Sequence, residues 1–556
     1  MAESDALIPK SISSLRGYSV PKLAADLVAG LTVGLLALPL AMAFAISSGL
    51  PPQAGIYTAI VAGFLISALG GSRTQVGGPT GAFVVVVAGI VAKHGVDGLF
   101  MCTLMAGVVL IVLGVTGLGT AVKYIPRPVV IGFTNGIAVL IASTQLRDFF
   151  GLQIAFVPGE FLARLGSIGA NFHTLSTPTT GLATLALLGI ALVNTFAARV
   201  PGSVVALFVG TAVAWGFGLP LETIETRFGG IPSGLPAFVI PKFRADLILP
   251  LLSPTLTIAM LGAIESLLSA VVADRMSGDK HNPNMELIAQ GVANVMSPLV
   301  GGLPATGAIA RTATNIRSGA TTPVAGMTHA AVLLAILLWA APLAKHIPLG
   351  VLAAILIIVA YRMSEWREIP DILRSSKADI AVWLITFALT VLADLTVAVE
   401  AGMILAALLY IQKVTFTTTV SRVTPDYVAG GFVHSLQTNE IPEGAVVYRI
   451  HGPFLFGATD KLEIIANELE KLPRIVILRL RNMTAIDATG LAALEELAEK
   501  LKASGRHLLL CGARDQPAQL MRRAEFHVHL GDLNITPNLE TAVSRARALL
   551  ALEAAP

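Results

Sequence analysis

Long apolar runs, separated by short polar or Pro/Gly-rich breaks, fill the first three quarters of this chain. Residues 27–47 and 54–69 form the first two, with the turn Gly49-Leu-Pro-Pro52 between them. A third extends from Gln75 to Lys93, and 99–121 and 129–144 follow. The polar stretch 147–178 is expected to be an extramembrane loop, after which 182–198 and 204–217 complete a first half. A connection rich in Pro and Gly over 219–249 leads to 251–273, 287–300, a run through Arg311 to Asn315, then 324–343, 351–360, 380–393 and 397–411. A helix needs ~20 apolar residues to cross a bilayer, so the pattern predicts about fourteen segments, seven per half, with flanks completing the shortest. Residues 1–21 are polar and are expected to lie along the membrane surface.

Two segments are interrupted at matching places in the two halves. Val76-Gly-Gly-Pro79-Thr80-Gly81-Ala82-Phe83 reads as an extended lead-in, then a helix opening on small residues. Gly301-Gly-Leu-Pro-Ala-Thr-Gly-Ala-Ile-Ala-Arg311 repeats the arrangement, with its helix expected from near Thr306 and Arg311 about a turn inside. Paired broken segments of this kind point to the binding site of a membrane transporter. Seven segments per half also invert one half relative to the other, so the two broken helices oppose their N-termini near the midplane.

Charge supports the count, because Lys and Arg gather in short cytoplasmic loops. With the N-terminus inside, those loops carry Arg73, Lys123, Arg127, Arg199, Arg275, Lys280, Arg317 and the stretch 362–377, and the chain leaves on the inside at Lys413. The first run is too long for a signal-peptide core and is expected to stay as a span. The 556 residues are 54% hydrophobic and 13% charged, the balance of an integral membrane protein, and a net charge of +3 gives no reason to expect a nucleic-acid partner. Cys102 and Cys511 lie far apart in unlike surroundings, which argues against a disulfide framework.

After about residue 421 the pattern changes. Strand-like 446–450, 475–480 and 507–511 alternate with helix-like 460–471, 490–503, 518–524 and 539–551. This predicts a small α/β domain of roughly 130 residues, large enough to fold alone.

The chemistry concentrates at the broken segments. A helix N-terminus exposes unpaired N–H groups and about half a positive charge, which suits an anion. Two opposed ends with the Arg311 guanidinium form a positive pocket, and Gly81, Ala82, Gly307 and Ala308 are small enough to admit a ligand to the backbone. The bland reading is that Pro and Gly only kink packed helices while Arg311 sits in a structural ion pair. Glu265, the other intramembrane charge, could carry a coupling proton or help hold a cation with Ser269, or could simply neutralise Arg311. Phe44 either lines the pocket or packs. Asp394 and Glu400 suit interfacial helix ends better than a pathway. In the tail, Asp487 and Thr489 open a helix; the turn could bind an anion or accept phosphate on Thr489, but a plain cap is the stronger reading. No metal or cofactor is expected, and nothing suggests bond-making chemistry.

Pro39-Leu-Ala-Met-Ala-Phe-Ala, Gly77-Gly-Pro-Thr-Gly-Ala, Ala263-Ile-Glu-Ser-Leu-Leu, Asp274-Arg-Met-Ser-Gly-Asp-Lys-His281 and Gly307-Ala-Ile-Ala-Arg311-Thr-Ala-Thr-Asn315 resemble the SulP (sulfate permease) anion transporter family over nearly the whole chain. Asp487-Ala-Thr-Gly490 resembles its C-terminal STAS domain. The resemblance implies an α-helical polytopic membrane protein of seven-plus-seven inverted repeats (about 22–218 and 250–412), shared with uracil permease. It divides the chain into a cytoplasmic segment 1–21, a transport domain 22–420 and a STAS domain 421–556. It also implies an elevator motion, a homodimer, a bacterial inner-membrane location with both termini cytoplasmic, and a cytosolic partner for the STAS domain. Substrate contacts carry over to Arg311 and its neighbour Ala310, with Phe44 and Thr80 beside them. Leu40 replaces a usual glutamine, and Glu265, Ser269 and Ile309 occupy positions where the bicarbonate branch holds sodium. Leu40, Glu265 and the Ile-Ala-Arg run resemble instead the aerobic C4-dicarboxylate branch, implying proton-coupled uptake of succinate, fumarate or aspartate; sulfate or bicarbonate is the alternative cargo, and a STAS-based signalling scaffold a further one.

Overall fold

The computed structural model describes residues 7–14, 18–119, 126–154, 157–197, 201–238, 240–393, 395–423 and 441–554. The chain divides into two compact units, Met1–Ile404 and Leu405–Pro556.

The first unit is helical throughout. A short α1 (Lys10–Ser14) precedes α2 (Val20–Ser47) and α3 (Pro52–Leu69), the latter started by prolines whose missing N–H costs nothing at a helix N-terminus. The two-residue strand β1 (Gly77–Gly78) leads into α4 (Gly81–Val115), which holds two crossings folded at Gly95, where φ is 71°. Then come α5 (Arg127–Phe150), α6 (Phe161–Ala170), α7 (Thr177–Phe196), α8 (Gly202–Gly216) and the short α9 (Ile224–Phe228). The second half runs α10 (Ile248–Ser277), α11 (Pro283–Met296), strand β2 (Thr306–Gly307), α12 (Ile309–Arg317) and α13 (Val324–Trp339). It closes with α14 (Ala341–Ala344), α15 (Leu349–Met363), α16 (Ile369–Leu373), α17 (Lys377–Leu392) and α18 (Leu395–Thr417).

With α4 counted as two crossings and the short α1, α6, α9, α14 and α16 set aside, fourteen segments fall seven and seven, as the apolar pattern implies. Among the described residues, seven helices are long and apolar enough to span a membrane on their own. Segments one to four and eight to eleven pack into one bundle, through α11 on α4, α13 on α2 and α3, and α10 on α4 and α12. Helices α5, α7, α8, α15 and α17 form a second. Both broken segments therefore belong to the same bundle. The 147–178 stretch is more ordered than a loop: it contains α6, whose Arg164 is buried and donates to the Pro158 and Gly159 carbonyls and to Ser143 Oγ. Tertiary contacts of one polar residue create that helix, which periodicity does not register. Asp394 lies outside the described residues. Glu400 is exposed and accepts a hydrogen bond from Ser253 at 2.9 Å.

The second unit carries a five-stranded sheet in the order β3 (Thr419–Arg422), β4 (Ala445–Phe454), β5 (Ile475–Ile486), β6 (His507–Cys511), β7 (Ile535–Thr536). β3 is antiparallel to β4 and the rest are parallel. Helix Ala488–Ala503 packs on one face through Leu491, Leu494 and Leu497, and Leu539–Ala554 on the other. The expected helix over 460–471 is instead a 3-10 turn, a four-residue helix and a second 3-10 turn. Leu462, Ile465, Leu469 and Leu472 are spaced three or four apart, which suits either winding.

Candidate functional site

The two broken segments meet across the first bundle. β1 and β2 pair antiparallel, Gly77 opposite Gly307 and Gly78 opposite Thr306, and Ala308 N–H donates to the Val76 carbonyl at 2.9 Å. From this crossing α4 leaves in one direction and α12 in the other. Neither helix has a side-chain cap: Thr80 precedes α4 and Ala308 precedes α12 without bonding their first N–H groups. The unpaired donors and the positive dipole ends are thus left facing the crossing. The approach is close at Gly307, where a Cβ would lie 1.7 Å from Gln75 Nε2 and 3.1 Å from the Ser266 Cα, so Gln75 would have to move.

The pairing also corrects the expected helix start. Thr306 and Gly307 are held in the strand, so α12 opens at Ile309 and Arg311 lies in its first turn rather than a turn inside. Arg311 is 2% exposed and donates across the crossing to the carbonyls of Gly77 (3.4 Å) and Pro79. A cation in the first turn of a helix opposes the dipole; here the two carbonyls offset that cost. Arg311 makes no ion pair among the described residues, so the structural ion pair entertained for it is not formed. Gly78, at φ 141°, lies against the guanidinium, and a Cβ there would stand 2.5 Å from Nη1.

Glu265, on α10, is half-buried, and its Oε2 accepts from Thr80 Oγ1 at 2.8 Å. The carboxylate thus reaches the residue that opens α4. Ser269, one turn on, turns to the other broken segment and donates to Thr312 Oγ1 at 3.1 Å, while Thr312 accepts from Val76 N–H. The two α10 residues thus contact different broken segments. Phe44 is 5% exposed with its ring at the start of α4. A Cβ on Gly81 would meet Ile141 at 3.0 Å, Met363 at 3.2 Å and Phe44 at 3.4 Å. Gly81, Ala82, Gly307 and Ala308 are buried, whereas Ala310 and Ile309 are exposed. Phe44, Thr80, Gly81, Glu265, Gly307, Ala308 and Arg311 therefore converge on the crossing; Ala82 is buried on α4, and Ala310, the residue before Arg311 on α12, is exposed.

Sequence reasoning missed the apolar lid and the polar seam behind it. Ile141 of α5 and Met363 of α15 come from the second bundle, and nothing local marks them. The seam was legible: Glu286, Gln290 and Asn294 recur every fourth residue on α11, and all three are buried. Glu286 accepts from Gly71 N–H, Ser266 and Gln290, Gln75 donates to Ser266, and Asn294 exchanges two 2.8 Å hydrogen bonds with Ala305. This ladder holds the extended lead-ins of both broken segments. Asp26, fully buried on α2, likewise accepts from Tyr18 and from Thr321 and Thr322 ahead of α13.

In the second unit Asp487 caps helix Ala488–Ala503, accepting from Gly490 N–H at 2.8 Å, and also takes Phe456 N–H at 3.0 Å. That is the geometry of a cap. Thr489 is exposed beside it.

The sulfate permease family model matches residues 23–386, and the STAS domain model matches 437–542. A putative sulfate transporter, YvdB, of Bacillus subtilis strain 168 is 39% identical over 93% of this chain and 96% of its own length. The bicarbonate transporter BicA of Picosynechococcus is 31% identical over 90% of each chain. Among solved structures, the transmembrane domain of a cyanobacterial bicarbonate transporter BicA aligns with a TM-score of 0.61 at 34% identity, covering 70% of this chain and 98% of that one. A murine Solute Carrier 26 family member A9 anion transporter in the inward-facing state shares the fold over 98% of this chain and 94% of its own, with a TM-score of 0.85 at 18% identity. With its broken-helix crossing and C-terminal α/β unit, the chain belongs to the sulfate permease family of membrane anion transporters and carries a STAS domain.

Proposed function

We propose that the chain carries a small inorganic oxyanion, sulfate or bicarbonate, across a bacterial cytoplasmic membrane. The observation that carries this reading is the β1–β2 crossing, which opposes two uncapped helix N-termini beside the buried Arg311. Backbone N–H groups at such ends bind tetrahedral or planar oxyanions without any side-chain ligand. Arg311, tied to the opposite lead-in, supplies fixed charge and holds the two ends at one spacing. Relatives named as sulfate and bicarbonate transporters favour the inorganic cargo over the C4-dicarboxylate that the Leu40, Glu265 and Ile-Ala-Arg resemblance implies.

In this reading Glu265 is the proton-coupling group. Its carboxyl is linked by Thr80 to the α4 end, so binding an anion there and holding a proton on Glu265 favour each other. The first bundle moves as a rigid body past the second, sliding the Gly81 end away from Ile141 and Met363, in a homodimer with both termini cytoplasmic.

Purified protein in proteoliposomes tests this with labelled sulfate, bicarbonate, succinate, fumarate and aspartate across an imposed pH gradient. Sulfate or bicarbonate flux is expected, with a pH dependence that Glu265→Gln flattens. Dicarboxylate flux alone would return the cargo to the other branch. No flux with any anion would favour a STAS-based scaffold.

A further inference from the structure

One face of the STAS sheet changes character along its strands. The residues facing it run Val447, Arg449, His451 on β4; Ile475, Ile477, Arg479, Arg481 on β5; and Leu509, Cys511 on β6. The parallel register sets Arg449, Arg479 and Cys511 side by side, with His451 opposite Asn482. Helix Leu539–Ala554 covers the apolar half, where Leu539, Ala542, Val543 and Ala546 pack on Val447, Ile477 and Leu509. Toward the carboxyl ends of the strands the face turns basic. Arg481 and His451 are exposed there, and Arg449 and Arg479 are half-buried. The turn after β6 closes over the same edge: Gly512 lies on the backbone of Arg481, and exposed Arg514 follows. The guanidinium groups of Arg481 and Arg514 make no hydrogen bond or ion pair among the described residues. Burial holds Arg479 below the usual arginine range, and Arg481, Arg449 and Arg514 push it the same way, which places each of the three within electrostatic reach of Arg479.

The exposed Arg481 and Arg514 add like charge around Arg479, and a multivalent anion relieves the repulsion among them. The carboxyl ends of parallel strands are where open α/β sheets bind ligands, and planar guanidinium forks match phosphate oxygens. We infer that the edge formed by Arg449, Arg479, Arg481 and Arg514 is a binding site for a phosphate-bearing anion. Two sources share that chemistry: a free polyphosphate ion and the phosphodiester headgroups of an anionic bilayer. The second is a candidate because only one residue of chain separates α18, the last membrane segment, from β3. Basic groups near an anionic membrane surface are attracted to its headgroups.

The test is hydrogen–deuterium exchange on the full chain in nanodiscs, read on peptides covering 445–454, 475–486 and 507–516. One arm adds inorganic pyrophosphate to discs of neutral phosphatidylcholine. The other compares those discs with discs containing phosphatidylglycerol, without pyrophosphate. Protection in the first arm assigns a free anion, and protection confined to the second assigns headgroups. In either case Arg481→Gln with Arg514→Gln, both exposed and so tolerated by the fold, weakens the response by about tenfold or more, since each lost charged hydrogen bond is worth at least that. Protection in neither arm overturns the inference, and so does wild-type protection in the double variant. Repeating the measurement in Arg311→Ala, where the effect should persist, separates this edge from the transport site.

Discussion

Arg311 can be tested as a tie as well as a charge. Its bonds to the Gly77 and Pro79 carbonyls are charge-assisted, and such bonds contribute about 1.5–3 kcal/mol each. Arg311→Ala therefore removes on the order of 3–6 kcal/mol and leaves two carbonyls of the opposite lead-in buried without partners. Against a total stability of ~5–15 kcal/mol that is a large fraction, concentrated where α4 and α12 begin. Arg311→Lys separates the two roles. Lysine keeps the charge but presents it as a point on a flexible stem, so it replaces one of the two bonds and forfeits about 1.5–3 kcal/mol.

The assay pairs thermal unfolding in detergent with anion uptake in proteoliposomes at low substrate. Arg311→Ala should unfold at a clearly lower temperature and lose uptake. Arg311→Lys should lie between, with uptake down roughly ten- to hundredfold if the lost energy falls on the spacing of the two helix ends. A lysine variant indistinguishable from wild type in both measurements would refute the tie and leave only the charge. An alanine variant with wild-type uptake would refute both.

Other expectations follow from single contacts. Gly307→Ala and Gly78→Ala each put a Cβ where none fits, 1.7 Å from Gln75 Nε2 and 2.5 Å from Arg311 Nη1, and the second also sits at φ 141°; each should cost on the order of 1–3 kcal/mol and reduce uptake, read by unfolding temperature and flux. Cys511, its thiol pushed up to about 12 by burial despite Arg479 drawing it down, should resist iodoacetamide at pH 8 in the folded chain, as mass spectrometry of its peptide would show. Because its folded pKa lies above the ordinary value near 9, its contribution to stability is complete below that value and is lost as pH rises toward 12, so chemical denaturation midpoints of the STAS unit should fall across that window. Arg227 grips Asp148 with two bonds and Glu222 with two more; Arg227→Gln should destabilise by about 1–3 kcal/mol, and little change in unfolding temperature would mark that cluster as surface decoration.

The membrane segments were legible because the bilayer imposes a length and an apolar composition that one sequence displays directly. Three of the five sheet strands were legible because 446–450, 475–480 and 507–511 are short apolar runs bounded by turns, whereas the short edge strands β3 and β7 were not. Legibility failed where a contact joins residues far apart in the chain. The start of α12 is set by Thr306 and Gly307 pairing with Gly78 and Gly77, some 230 positions earlier, and no local pattern carries that. Arg164 makes α6 in the same way, by reaching back to Ser143. The four-residue spacing of Glu286, Gln290 and Asn294 was visible, but a polar stripe in an apolar helix does not say which neighbour it holds.

The crossing also explains why so few side chains identify the cargo. Its positive potential comes from peptide groups and from one guanidinium turned onto backbone carbonyls, and those are indifferent to which oxyanion arrives. Selectivity must then come from what encloses the helix ends. Phe44 belongs to the bundle that carries the site, while Ile141 and Met363 belong to the other, so the enclosure is completed only while the bundles are in register. The proposed shift of the first bundle would remove two of these three apolar neighbours from the Gly81 end. In the proposed transport cycle, capture and release of the ion would follow from that one rigid-body movement, with the β1–β2 pair kept intact.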